Sequence, residues 1–92
     1  MSTKKRERLD VINDILCAVR NKPGIGSTRL LYASNLSTKM HKEYLEELLS
    51  SDMLVEEHHK GKKKYVITDK GLVFLEQYHS FSHFVDELGL WR

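Results

Sequence analysis

A predicted β-hairpin in the second half of this 92-residue chain is the feature that most restricts its fold. Two strand-like runs, residues 53–58 (MLVEEH) and 63–68 (KKYVIT), flank a short segment rich in lysine. Gly61 lies in that segment and supplies the positive φ that a hairpin turn needs. Helix-forming residues dominate elsewhere, so the fold must combine one hairpin with several helices.

Hydrophobic periodicity predicts a first helix over residues 7–21, which ends at the proline- and glycine-rich segment that follows it. Ser27 and Ser37 are the predicted N-caps of two further helices, residues 28–34 and 38–51. Two helices joined by a short turn, the second with a polar exposed face, form the helix-turn-helix pattern. The inward stripe of the second of these helices is predicted to be Met40, Tyr44, Leu45, Leu48 and Leu49.

A last helix is predicted over residues 69–88, with Thr68 as its N-cap and Gly89 as its stop signal. Residues around Ile25 can add a short third strand to the hairpin. The order helix, helix, helix, hairpin, helix is that of the winged helix-turn-helix arrangement. The predicted fold class is therefore α+β and mainly α, with three helices, a β-hairpin wing and a long C-terminal helix.

A set of short motifs is distributed along the helices and the wing: Thr28-Arg29, Tyr32, Asn35-Leu36-Ser37, Tyr44-Leu45, Leu48, Lys64-Tyr65 and Thr68-Asp69-Lys70-Gly71. Over about residues 8–78, this set resembles the small winged-helix DNA-binding proteins of archaea. The resemblance implies DNA as the ligand and a dimer formed by antiparallel pairing of the last helix. Two features depart from the family: the last helix is short, ending near Leu88, and His41 occupies a mostly inward position.

Charge is unevenly distributed although the net charge is only +2. Residues 1–68 carry 13 Lys/Arg and 9 Asp/Glu, whereas residues 69–92 carry 2 and 4. Clustering of basic residues matters more than the total for binding a polyanion. The predicted elements and the resemblance divide the chain into three expected parts: a flexible basic arm (1–6), a winged-helix DNA-binding domain (7–68), and a C-terminal dimerisation helix packed on the same domain (69–92).

Two basic or polar surfaces are candidates for DNA contact. The wing, residues 58–64, is predicted to bind phosphates, because lysines at a hairpin tip bury little; the alternative is a solubilising loop. The recognition helix, residues 37–50, is predicted to enter the major groove with its N-terminal turns; the alternative is a solvated helix face. The predicted DNA-binding residues are Arg29 and Ser37 on phosphate, Thr38, Lys39, Lys42 and Glu43 on bases, and Lys60, Lys62, Lys63 and Lys64 on the wing.

Apolar residues on the last helix recur at spacings of 4, 3, 4 and 3, which is typical of a coiled-coil seam. A second row, Leu72 and Leu75, can serve the core of the chain itself. We therefore predict a homodimer; the alternative is that the helix folds back on its own domain. The predicted interface residues are Phe74, Tyr78, Phe81, Phe84, Val85, Leu88 and Trp91.

The predicted function is that of a dimeric winged-helix transcription regulator that binds double-stranded DNA. Two alternatives stay open: a chromatin-architectural protein with little sequence preference, and a winged helix that binds another protein. A single cysteine, Cys17, fits a reducing intracellular setting, and no apolar run is long enough to span a bilayer. We thus expect a cytoplasmic, nucleoid-associated protein with no membrane contact.

No cofactor, small-molecule ligand or catalytic activity is predicted. The sequence shows no nucleophile–base–acid set and no glycine-rich phosphate loop. His79 and His83 are one helical turn apart, a spacing that can chelate a metal, but no cysteine pair or carboxylate cluster completes a site. No metal site is therefore predicted, and the roles of these histidines and of His41 stay open.

Overall fold

The computed structural model of the chain describes residues 3–90, with side chains for residues 7–90. Four helices and a three-stranded antiparallel sheet follow in the predicted order, which confirms the α+β, mainly helical winged helix-turn-helix fold. The elements are α1 (Thr3–Asn21), β1 (Ile25–Gly26), α2 (Ser27–Ser34), α3 (Thr38–Ser50), β2 (Leu54–His59), β3 (Lys62–Ile67) and α4 (Asp69–Leu88).

Helix α1 begins at Thr3, four residues before the predicted start at residue 7. Lysine, arginine and glutamate are good helix formers, and the helix extends through them. Residues 1 and 2 and the side chains of residues 3–6 lie outside the described part of the chain. The mobility of the predicted basic arm therefore stays a prediction. Trp91 and Arg92 also lie outside the described residues.

The sheet has the strand order β1-β3-β2, with both pairs antiparallel. Ile25 lies opposite Tyr65, which confirms the predicted third strand at this position. Strands β2 and β3 are joined by a two-residue turn, Lys60–Gly61, and both residues have positive φ (52° and 77°). Positive φ at both central residues is the requirement of a type I′ turn, whose twist matches that of the strands.

One hydrophobic core lies between α1, the sheet and the other helices. It includes three fully buried residues of α1, namely Ile15, Leu16 and Val19. It is completed by Ile12, Ile25, Leu30, Leu45, Leu48, Leu54, Tyr65 and Leu75. Burial of apolar area of this kind is the main favourable contribution to folding.

The turn between α2 and α3 depends on Asn35, whose left-handed conformation (φ 56°, ψ 36°) ends α2. Ser37 caps α3 as predicted, because its hydroxyl accepts a hydrogen bond from the Met40 amide at 3.2 Å. The prediction that Ser27 caps α2 is wrong: the N-cap is Gly26, and no side chain caps this helix. Gly26 is still extended because it pairs with Lys64 in the sheet, so α2 begins immediately after it.

The inward face of α3 differs from the predicted stripe. His41, Leu45 and Leu48 are buried, whereas Met40 is 46% exposed and Tyr44 is only partly buried. Leu45 and Leu48 are inward as predicted, but in the first turn the imidazole of His41 is buried where Met40 was expected. His41 is the only buried polar or charged side chain among residues 7–90.

Helix α4 is defined by a cap at each end. The Thr68 hydroxyl accepts from the Gly71 amide at 3.1 Å and donates to the Asp52 carbonyl at 2.6 Å. At the other end Gly89 is left-handed (φ 71°), and the Leu90 amide donates to the Val85 carbonyl at 3.2 Å. This six-to-one bond is that of a Schellman motif, so both predicted ends of the helix are confirmed.

Candidate nucleic-acid interface

The wing presents lysines on both faces of its outer half. Lys62 and Lys63 are exposed and Lys64 is half-buried. Side chains alternate along a strand, so Lys63 shares the face of Tyr65, while Lys62 and Lys64 share the opposite face. Lys60 occupies the turn itself and is exposed. The predicted wing lysines therefore remain accessible around the hairpin tip.

Glu56 is tied to the base of the wing by two hydrogen bonds. The His58 Nε2 lies 2.9 Å from one carboxylate oxygen, and the Tyr65 hydroxyl donates to the other at 3.4 Å. The hydrogen bond with His58 is the main cause that lowers the pKa of Glu56, aided by Lys63 nearby. Burial, followed by the Glu56 charge, raises the pKa of Tyr65. The carboxylate is thus held by neighbours on the core-side face of the hairpin.

The outward face of α3 is accessible to a ligand. Thr38, Lys39, Lys42 and Glu43 are all exposed, as the sequence predicts for the base-facing set. Ser37 is exposed as well, although its hydroxyl is engaged in the helix cap.

One flank of α3 is held by α1. The Arg8 guanidinium forms an ion pair with Glu47 and lies 5.5 Å from the centre of the Tyr44 ring. The pair offsets one of the three acidic charges on α3.

A groove of about 710 Å³ lies between the start of α2 and the wing strand β3. Arg29 lines it together with Lys62, Lys63 and Lys64, so the structure brings these predicted site residues together. Lys22, which the sequence analysis did not select, lines it too. The predicted third strand around Ile25 is a signal that could have identified Lys22, because pairing of that strand with β3 brings the loop before it beside the wing.

The predicted contact residues of α3 do not line this groove. Lys60 is also absent from its walls. Among the described residues that line the groove, none is acidic. Tyr32 of α2 is 78% exposed, so this residue of the α2 motif is not part of the core.

The predicted dimer residues on α4 fall into two groups. Phe81, Phe84 and Leu88 are each more than half exposed. Phe74 and Tyr78 are partly buried and stack on each other with ring centres 5.9 Å apart.

The remaining apolar residues that were assigned a role on α4 differ in their burial. Val85 is 6% exposed and therefore buried by its own chain, so its burial requires no partner. Leu75 joins the core as predicted, but Leu72 is 41% exposed. Leu72 therefore faces away from the core that it was expected to serve.

Within residues 7–90 no group of three or more His, Cys, Asp or Glu side chains could hold a metal ion. In this part of the chain His83 lies 3.7 Å from Glu87, one turn away on α4. No described helix combines the length and the apolar character that a bilayer crossing demands.

Comparison with known families decides the classification of the chain. The profile of a family described as winged helix-turn-helix matches residues 5–85. The chain belongs to the winged helix-turn-helix family. This winged helix is also 34% identical over 73 residues to an uncharacterised protein of Methanocaldococcus jannaschii, and the match covers 79% of the chain. It spans only 32% of the length of that relative.

Solved structures of similar fold support the same classification. Sso10a-2, a DNA-binding protein from Sulfolobus solfataricus, superposes with a TM-score of 0.75 at 25% identity, over 87% of this winged helix and 82% of that chain. BpsR of Bordetella bronchiseptica, whose DNA binding is regulated by 6-hydroxynicotinic acid, superposes with a TM-score of 0.71 at 18% identity. The superposition covers 84% of this chain and 61% of that chain. F-93 of SSV1 superposes with a TM-score of 0.67 at 18% identity, over 86% of this chain and 88% of that chain. The last two likenesses show the fold alone.

Proposed function

We propose that this winged helix binds double-stranded DNA as a homodimer and regulates transcription. The observation that carries the proposal is the cationic groove, which Arg29 and three wing lysines line and which has no acidic residue among its described lining residues. Such a concentration of like charge suits a polyanion. The likeness to Sso10a-2, which is itself a DNA-binding protein, supports the same ligand.

Helix α3 is proposed to read bases in the major groove. Its exposed N-terminal turns carry Thr38, Lys39, Lys42 and Glu43. Lysine can donate to guanine O6 and N7, and glutamate can accept from cytosine N4. Ser37, at the start of the helix, is proposed to contact a phosphate.

The wing is proposed to bind the phosphate backbone. Lys60, Lys62 and Lys63 are exposed near the hairpin tip, where a lysine can reach a phosphate. Neutralised phosphates release counterions, so the affinity should fall as salt rises.

Dimerisation is proposed to occur through α4, between two copies of this chain. Phe81, Phe84 and Leu88 recur at spacings of 3 and 4, and each is between 54% and 56% exposed. Contiguous exposed apolar surface of this kind usually marks an interface. The resemblance to archaeal winged-helix proteins implies an antiparallel pairing of this helix, which would present two copies of α3 to one duplex.

Selection of bound sequences from a random DNA pool tests the proposal. Enrichment of an inverted repeat, with half-sites about 34–36 Å apart, supports a dimeric regulator. Retained binding with no enriched sequence contradicts the regulator and favours an architectural role. Failure to retard any DNA at low salt contradicts DNA binding altogether and favours a protein partner.

A further inference from the structure

We propose that the groove between α2 and β3 holds one sugar–phosphate strand of the duplex, and that Lys22 contacts its phosphates opposite the wing. This inference rests on the proposed function. It adds Lys22, which lies outside both the wing and the helix-turn-helix unit. It also places Arg29 beside the wing, and not beside α3, in contacting the DNA backbone.

Five cationic residues line the groove. Lys22 belongs to the loop after α1 and Arg29 to α2, whereas Lys62, Lys63 and Lys64 belong to β3 on the other side. The ion pairs Arg8–Glu47, His58–Glu56 and His83–Glu87 use no cation of the groove, and Lys63 lies near enough to Glu56 to help lower the pKa of that carboxyl. Like charges gathered around one cleft repel each other, so an anion between the walls relieves the repulsion.

The backbone holds Lys22 firmly at this place. Its amide donates to the Ala18 carbonyl at 3.1 Å, and its carbonyl accepts from the Ile25 amide at 3.0 Å. The Gly24 amide donates to the Tyr65 carbonyl at 3.0 Å, which ties the loop to β3. The loop therefore sets Lys22 against the wing strand before any ligand arrives.

The groove is open because β1 is short. Its two residues pair only with Tyr65 and Lys64, so β3 extends past β1 towards the wing tip. Gly26 lines the groove without a side chain, and a Cβ placed there would meet its nearest neighbour, the Lys63 carbonyl, at 4.0 Å. A side chain at this position fits and would point a new group at the ligand.

The first test compares Lys22→Ala with Lys70→Ala, using a mixed-sequence duplex over about 50 to 200 mM salt. Lys70 is exposed in the first turn of α4 and does not line the groove. Lys22→Ala should weaken binding to all sequences and shallow the log–log salt slope by roughly 1, whereas Lys70→Ala should leave the slope unchanged. Lys22→Arg should keep the wild-type salt slope, because the positive charge is retained.

The second test uses Gly26→Asp and does not depend on removing a lysine. The φ of Gly26 is −78°, which any residue can adopt. Aspartate at this N-cap should leave the melting temperature equal or higher. Its charge should weaken duplex binding severalfold, because it repels phosphate in the groove. A loss of binding with undiminished stability is not expected from a purely structural position.

The outcomes separate the inference from the proposed function. If Lys62→Ala shallows the slope while Lys22→Ala and Gly26→Asp bind like the wild type, the groove assignment is wrong and DNA binding stands. If the wild-type protein fails to bind the duplex even at low salt, both are wrong. If Lys22→Ala and Lys70→Ala change the slope equally, the effect is one of net charge and the assignment also fails.

Discussion

The imidazole of His41 and the hydroxyl of Ser34 form a 3.1 Å hydrogen bond that joins α3 to the end of α2. Ser34 has one proton, which it donates to the Leu31 carbonyl at 2.7 Å. It must therefore accept from His41, so the neutral imidazole carries its proton on Nδ1. The second nitrogen, Nε2, is buried and has no hydrogen-bond partner. The helix-turn-helix unit thus contains a histidine suited only to the neutral form.

Acid should destabilise the fold through His41. Burial lowers the pKa of His41 below the ordinary value of 6.5. The unfolded chain takes up a proton near that pH while the folded chain resists it, so stability present above about pH 6.5 is lost as the pH falls towards the folded pKa. Urea unfolding of the wild type and His41→Leu across this range should show a flatter pH dependence in the variant.

A matched control for this experiment is His83→Gln. The His83 side chain is 72% exposed, and its replacement should leave the pH dependence close to that of the wild type. Equal pH dependence in His41→Leu and the wild type would show that His41 contributes nothing to acid sensitivity.

Gly71→Ala should destabilise the protein. A Cβ at Gly71 would lie 2.5 Å from the Met53 carbonyl and 2.6 Å from Ile67 Cγ1, and the carbonyl belongs to the backbone and cannot swing away. Overpacking of this kind costs about 1–3 kcal/mol. Chemical denaturation measures the loss. Gly26→Ser is the control, since the space there is open, and a similar loss in both variants would contradict the steric explanation.

The two serines at helix starts should respond differently to replacement. Ser37→Ala removes the hydroxyl that accepts from the Met40 amide, so it should cost about 0.5–2 kcal/mol of stability. Ser27→Ala removes no cap and should stay within about 0.5 kcal/mol of the wild type. Thermal melts of the two variants side by side decide the matter. A larger loss at Ser27 would mean that α2 is capped differently in solution.

Charged residues on the exposed stripe of α4 should separate the proposed dimer. Phe81→Glu combined with Phe84→Glu places two like charges where each copy presents aromatic rings, so the protein should become monomeric. Light scattering at micromolar concentration measures this. Tyr32→Ser, which alters an exposed aromatic residue on α2, should keep the dimer. A monomeric wild type at the same concentration would refute the dimer itself.

Substitutions in the wing and in the recognition helix should affect DNA binding in different ways. Lys62→Ala should weaken binding about equally for all sequences and shallow the salt slope by roughly 1, because phosphates carry no sequence information. Lys39→Ala should cost roughly 1–3 kcal/mol on the selected site and relax its sequence preference. Titrations of both variants against selected and random duplexes check this. If Lys39→Ala lost the same affinity for both duplexes, that lysine would contact the DNA phosphate backbone and not a base.

Features that depend on neighbours in the chain were predictable from the sequence. Ser37 and Thr68 were identified as caps because a cap is made with an amide three residues away. Gly61 and Gly89 were identified as the turn and the helix stop because their positive φ is a local requirement. The order of helices and strands follows from the same kind of information, and this order already defines the winged-helix fold.

Features that depend on distant neighbours were decided only by the tertiary structure. Periodicity placed both Met40 and His41 towards the inside, and only the packing of α3 against α2 shows that His41 is buried while Met40 is exposed. Periodicity also could not show that Val85 is covered by its own chain while Phe81 is left exposed. The groove is the strongest case: Lys22 and Lys62 are forty residues apart, and only the pairing of β1 with β3 places them on one cleft.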